Sequence, residues 1–220
     1  AQQYSEEHGE FIFYSEPIVS HLRFERGPVS GGTSVAVSGS SFRGGSVYRC
    51  RFGPQTVNAT YDAYHDELRC VSPAANASGA AVEISLTGQQ FTTSGVTFEY
   101  YELVSVSHLV PSAGPRQGGT ALTVFGAGFS HGRDYRCRFS GGTPAVVMAT
   151  VEGDGRIACT TPAPRCGSGA CREAVEVSLN SESYSSSGVE FTYHNATVLS
   201  LDVVSGPSSG GTVITVHGAG

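Results

Sequence analysis

Lysine is missing from this chain. All thirteen of its Lys+Arg cations are arginine, set against nineteen acids, and the formal net charge is −6. No basic stripe or polybasic run occurs, which makes nucleic acid a poor partner. No apolar run approaches the length that crosses a bilayer, so no membrane contact is expected within this segment. Residues 1–10 (AQQYSEEHGE) are polar and do not read as a secretory leader, so the chain is expected to be a mature or internal segment of something longer. No stretch carries a sustained helical period, and tryptophan is absent.

What is present repeats. Gly27-Pro28-Val29-Ser30-Gly31-Gly32-Thr33 returns as Gly114-Pro115-Arg116-Gln117-Gly118-Gly119-Thr120 and again as Gly206-Pro207-Ser208-Ser209-Gly210-Gly211-Thr212. The offsets are 87 and 92 residues, the size of one small β domain. Between the first two motifs, Thr33–Ser38 alternates at period two, Tyr48-Arg49-Cys50-Arg51-Phe52 reappears letter for letter as Tyr135–Phe139, and Val82–Leu86 is matched by Val175–Leu179. About seven short strands per repeat, separated by Gly-containing turns, predict a two-sheet sandwich. The expected division is the closing strand of a preceding module over 1–16, modules over 17–102 and 103–196, and the opening strands of a third over 197–220. The scraps at the two ends lack middle strands. Phe11 and Phe13 at one end, and Val213, Ile214 and Val216 at the other, are therefore expected to pair with flanking modules or with other molecules. With almost no linker between the repeats, a semi-rigid rod is expected.

Six cysteines accompany the repeats. Cys50 and Cys70 lie in the first copy, and Cys137 and Cys159 at matching places in the second. One pair per repeat reads as disulfides and an oxidising compartment. Cys166 and Cys171 lie where the second copy has four extra residues. A small disulfide pinning that inserted loop is the favoured reading. The rival is half a zinc site, disfavoured because no His or further Cys adjoins and tetrahedral zinc takes four ligands. Sequons at Asn58, Asn76 and Asn195 agree with an extracellular location and make N-linked glycans the expected covalent decoration.

Other candidates read as structural. Gly206-Pro207-Ser208-Ser209-Gly210 spells a nucleophile elbow, but a strand pattern follows it and no helix, and the place of Ser208 is taken by Val29 and Arg116 in the other copies. The loop acids Asp62, Asp66 and Glu67, loosely matched by Glu152 and Asp154, read as solvated; calcium wants six or more oxygens in one place. Tyr61, Tyr64, Tyr100 and Tyr101 could stack on sugars, but tyrosine at strand positions more often packs. No enzyme, no metal and no cofactor is expected.

The Gly-Pro-x-x-Gly-Gly-Thr turn, the Gly-x-x-Phe step (Gly39–Phe42, Gly126–Phe129), Cys50-Arg51-Phe52-Gly53 and Cys70-Val71-Ser72-Pro73 together resemble the IPT/TIG domain. This immunoglobulin-like module occurs in plexins, hepatocyte-growth-factor-type receptors, fibrocystin-like surface proteins and some transcription factors. Copy two fits with Cys137-Arg138-Phe139 and Cys159-Thr160-Thr161-Pro162, except for Ser140 where copy one has Gly53. The resemblance implies tandem all-β immunoglobulin-like sandwiches and the pairings Cys50–Cys70 and Cys137–Cys159. It implies no activity. The resulting expectation is an extracellular structural or adhesive glycoprotein, cell-surface or secreted. It would act as a rigid rod, either a repeat of a long surface protein or a filament subunit joined end to end through β-strands. Its partners would be further copies of itself or flanking modules. The alternative is the protein-ligand-binding ectodomain of a plexin-like or fibrocystin-like receptor.

Overall fold

The computed structural model describes residues 13–76, 78–153, 155–167 and 171–219, and every regular element among them is a β-strand. The chain divides into two compact units, residues 1–102 and 103–220.

The first unit runs β1 Ile18–Arg23, β2 Arg26–Pro28, β3 Ser34–Ser40, β4 Arg49–Phe52, β5 Gln55–Asp62, β6 Glu67–Val71, β7 Gly79–Ser85 and β8 Thr97–Tyr101. Their hydrogen-bonded order is β1-β3-β6-β5-β4-β7-β8-β2. β5 serves both layers. Its residues Gln55–Asn58 pair with β4, and Ala59–Asp62 pair with β6. All neighbours are antiparallel except β2, which lies parallel to β8. Val35, Val37, Phe42, Phe52, Leu68, Ile84 and Phe98 fill one core between the layers. In β6 core and solvent faces alternate, whereas β3 buries Val35, Ala36 and Val37 in succession.

The second unit repeats this with β9 Ser105–Val110, β10 Ala113–Pro115, β11 Ala121–Ala127, β12 Arg136–Ser140, β13 Ala145–Gly153, β14 Arg156–Thr160, β15 Cys171–Ser178 and β16 Glu190–His194, in the order β10-β16-β15-β12-β13-β14-β11-β9. Each module therefore has eight strands where the sequence pattern suggested about seven. The additional one is the three-residue β2 or β10, which the Gly-Pro motif had hidden as a turn.

The letters that repeat are those that make contact. A Cβ on Gly27 would meet the Thr33 hydroxyl at 2.3 Å and the Phe98 ring at 2.7 Å; on Gly114 the corresponding distances are 2.4 Å to Thr120 and 2.9 Å to Phe191. Gly31 has φ +74° and faces the Ser72–Ala74 backbone, where a Cβ would come within 2.6 Å. The turn then exchanges hydrogen bonds with the segment after the second cysteine. Gly32 N donates to Ser72 O at 2.9 Å, Ser72 N to Thr33 O at 2.9 Å and Thr33 N to Ser72 Oγ at 3.1 Å. Thr161 takes the role of Ser72 in the second module. Tyr48 is repeated for the same kind of reason: its hydroxyl accepts from Gly45 N and donates to Phe42 O, as Tyr135 does between Gly132 and Phe129.

A buried acid shapes the hairpin before each closing strand. Glu83 accepts from Thr92 Oγ1, Ser94 N and Gly95 N, and Glu176 from Ser185 Oγ, Ser187 N and Gly188 N. Hydrogen bonds to a charged group are each worth roughly 1.5–3 kcal/mol. A carboxylate with three protein donors is thereby compensated for leaving water.

The two glycines of the turn make different demands. Gly32 is open around its Cα, so Gly32→Ala meets only the left-handed backbone cost, about 1–2 kcal/mol. Gly31→Ala meets the same cost and also drives a methyl into the Ser72–Ala74 backbone. Denaturant unfolding is expected to place G31A well below G32A in stability; equal losses would contradict the packing described.

Candidate functional site

Sulfur comes first. Cys50 on β4 and Cys70 on β6 are bridged inside the core, and Cys166 and Cys171 are bridged across the loop between β14 and β15. Cys137 and Cys159 depart from the expected pairing, because the structure holds them as two unbridged, buried thiols. The backbone is not the reason. Cys137 lies opposite Val147 and Val177, as Cys50 lies opposite Val57 and Ile84, so the sulfurs meet at equivalent places. They are joined by a hydrogen bond in place of a covalent bond. That bond and burial both push the Cys137 thiol pKa up.

The three sequon asparagines are exposed. Asn58 sits on β5 where that strand passes from one layer to the other, and its Oδ1 accepts from Arg49. Asn76 lies between β6 and β7, and Asn195 just after β16. The register exposes a contrast that the sequence alone did not reveal. Arg49 faces Asn58 in the first module, and Arg136 faces Met148 in the second. The corner with an acceptor asparagine in module 1 therefore carries a bare methionine, 74% exposed, beside exposed Val146 in module 2. Aligning the two β4–β5 and β12–β13 hairpins residue by residue would have found it.

The end segments differ in what can be said. Phe11 lies outside the described residues. Phe13 is exposed and in no strand. Val216 opens β18 (Val216–Ala219), which pairs within the chain with β17 (Thr197–Leu201), Val216 facing Leu201. Val213 and Ile214 precede that strand, in no strand themselves. This hairpin repeats the bulged pairing of β1 with β3. Val198, Leu201, Ile214 and Val216 stand where module 1 has Val19, Leu22, Val35 and Val37. They are 68%, 39%, 49% and 53% exposed, against 6% or less for their counterparts. The Gly206–Gly210 stretch is the familiar turn, with Gly210 N donating to Pro207 O at 2.9 Å and a strand following, so it has no elbow geometry.

The loop acids spend their oxygens on different partners. Asp62 accepts from His65, Tyr64 N and Arg69, Asp66 from the Tyr61 hydroxyl, and Glu67 from Ser38 Oγ. Asp154 lies outside the described residues.

Two tandem sandwiches, each locked by the same Gly-Gly-Thr turn, define an immunoglobulin-like repeat. The chain belongs to the IPT/TIG domain family, whose model matches residues 17–100 and 105–193. It is 29% identical to Plexin-A2 of Mus musculus over 157 residues, 70% of this chain and 8% of that protein. It is 29% identical to Fibrocystin-L of Homo sapiens over 149 residues, 66% of this chain and 3% of that protein. The solved extracellular region of Plexin A4 superposes with a TM-score of 0.60 at 19% identity, covering 88% of this chain and 18% of that one, a likeness of fold. The chain thus spans under a tenth of the curated relatives it matches.

The hydrogen bond from His65, with backbone donors behind it, holds Asp62 at a pKa of about 2. Its folded value lies below the usual carboxylate value of about 3.9. Its contribution is therefore complete above pH of about 4 and disappears as pH falls through about 2. Carboxyl-carbon NMR titration is expected to show that low midpoint, and His65→Ala is expected to raise it; a normal midpoint in the unmodified chain would refute the network.

Proposed function

We propose that this chain is a non-catalytic tandem segment of the extracellular region of a plexin-like or fibrocystin-like surface receptor. Its role would be to present protein-binding surface and to space the domains on either side. The observation that carries this reading is the family match over two consecutive modules, with a plexin match long enough to reach into both. Supporting it, the module 2 corner at Val146 and Met148 is apolar, exposed and free of a sequon, as a protein-docking patch would be. The equivalent corner of module 1 bears Asn58. The filament reading has less behind it, because the relatives that share these modules include Plexin-A2 and Fibrocystin-L.

Extracellular residence makes three covalent statements about Asn58, Asn76, Asn195 and the sulfurs. Glycans would occupy the exposed sequons. The core bridge Cys50–Cys70 would persist, closing a loop worth roughly 3 kcal/mol in the chain-entropy account. Cys137 and Cys159, already in contact, would oxidise during secretion.

The chain secreted from cultured eukaryotic cells should lose mass on N-glycosidase treatment and yield no free thiol after denaturation without reductant. Six titratable thiols and an unglycosylated mass would argue for a reducing compartment. Sedimentation velocity should show a concentration-independent monomer. Open-ended polymers would restore the filament reading.

A further inference from the structure

Module 2 departs from module 1 at several positions that converge in space. Arg116 replaces Val29 in the Gly-Pro turn, and Glu173 replaces Ala80, each lying opposite the closing-strand phenylalanine. Cys166 and Cys171 flank the inserted loop. Gly141 stands where module 1 has Pro54; a Cβ there would come within 2.4 Å of Glu173 Cγ, so the glycine makes room for the acid. Glu173 is only 2% exposed. Its Oε1 accepts from Arg165 N at 3.3 Å, while its Oε2 is buried with no hydrogen-bond partner. The two sulfurs and a Glu173 oxygen lie within 4.8 Å of one another. Arg116 Nη2 donates to Cys166 O at 2.9 Å and Gly167 O at 2.6 Å, and lies 3.7 Å from Cys166 Sγ.

An unpartnered buried carboxylate oxygen is costly and calls for a cation. With the bridge closed, the sulfurs have no ligand capacity to share with it. With the bridge open, two thiolates and a carboxylate form an S₂O set, the donor types that borderline-soft zinc accepts, with a fourth position for water. We propose that Cys166, Cys171 and Glu173 form a redox-gated zinc site, a disulfide when oxidised and a thiolate–carboxylate Zn²⁺ site when reduced. Opening consumes two equivalents of a low-molecular-weight thiol. The first attacks the bridge to give a mixed disulfide, and the second releases it as the oxidised dimer, leaving both cysteines as thiols. Zn²⁺ then displaces their two protons to solvent. Arg116 Nη2, 3.7 Å from Cys166 Sγ, places a positive charge beside the thiolate that metal binding creates.

No His or further Cys adjoins the pair in sequence. The third ligand is an acid two residues beyond Cys171, turned inward by the strand pleat.

The test uses the full chain. One sample is kept oxidised, and another is reduced with a monothiol that is then removed by gel filtration under argon. Both are titrated with Zn²⁺ against a chromophoric chelator and with Co²⁺ to read the thiolate-to-cobalt charge-transfer band. The reduced chain is expected to take one equivalent and show the band, and the oxidised chain neither. Cys166→Ser with Cys171→Ser should abolish uptake. Glu173→Gln keeps both sulfurs, so it remains informative should the serine variant misfold. It should weaken Zn²⁺ binding by more than the roughly 10- to 100-fold typical of outer-shell partners. Uptake by the oxidised chain, uptake surviving the double serine variant (which would point to Cys137 and Cys159), or an unchanged affinity in E173Q would each overturn the proposal.

Discussion

Both modules depend on one exchange of hydrogen bonds, between the Gly-Gly-Thr turn and the residue two after the second core cysteine. Thr33 and Ser72 are almost wholly buried, and each gives and receives through its backbone while the Ser72 hydroxyl accepts a further bond. Losing one partner in such a pair strands a buried donor or acceptor, which costs about 1–3 kcal/mol. The exchange fixes the register of β3 on β6, and that register decides which side chains enter the core. It also brings Gly27 against the Phe98 ring, tying the start of the module to its last strand. Module 2 replaces Ser72 by Thr161 and keeps the geometry, because what matters is a β-hydroxyl of the right reach.

Much of this was legible in the sequence. β3 lies over the Thr33–Ser38 alternation and β4 over the Tyr48–Phe52 segment, each to within two residues. The repeat announced the tandem modules because recurring letters mark recurring contacts: Tyr48 and Tyr135 return because each ties down a glycine turn. What escaped were features set by partners distant in sequence. β2 exists only because Glu99–Tyr101 lies alongside it, and three residues around a Gly-Pro step carry no periodicity. The crossing of β5 between layers is likewise invisible in a strand that alternates evenly from end to end. The thiol state of Cys137 and Cys159 escaped for a different reason, since matched positions fix where sulfurs meet and oxidation decides whether they join.

The candidate sites were partly legible. The sequons could be read directly, and all three are solvent-facing. The apolar corner at Val146 and Met148 and the inward acid at Glu173 could not be read from one copy. Each emerges only when the two modules are laid on each other and the differences, not the identities, are followed. Identity between the copies reports the core; difference marks the exposed corner and the inward acid that set module 2 apart.

The hairpin of β17 and β18 shows what the repeated motif achieves unaided. Gly210 and Gly211 adopt the same left-handed backbone as Gly31 and Gly32 although no neighbour presses on them, and the Pro207-to-Gly210 hydrogen bond is already made. The three copies of the turn thus share one backbone form and one internal hydrogen bond. In each complete module the ring that meets the first glycine of the motif, Phe98 or Phe191, lies most of a domain further along the chain. Closing that long loop is the slow, entropically opposed event. During that interval an apolar face waits uncovered, so each added repeat lengthens the time in which unfinished neighbours could pair wrongly.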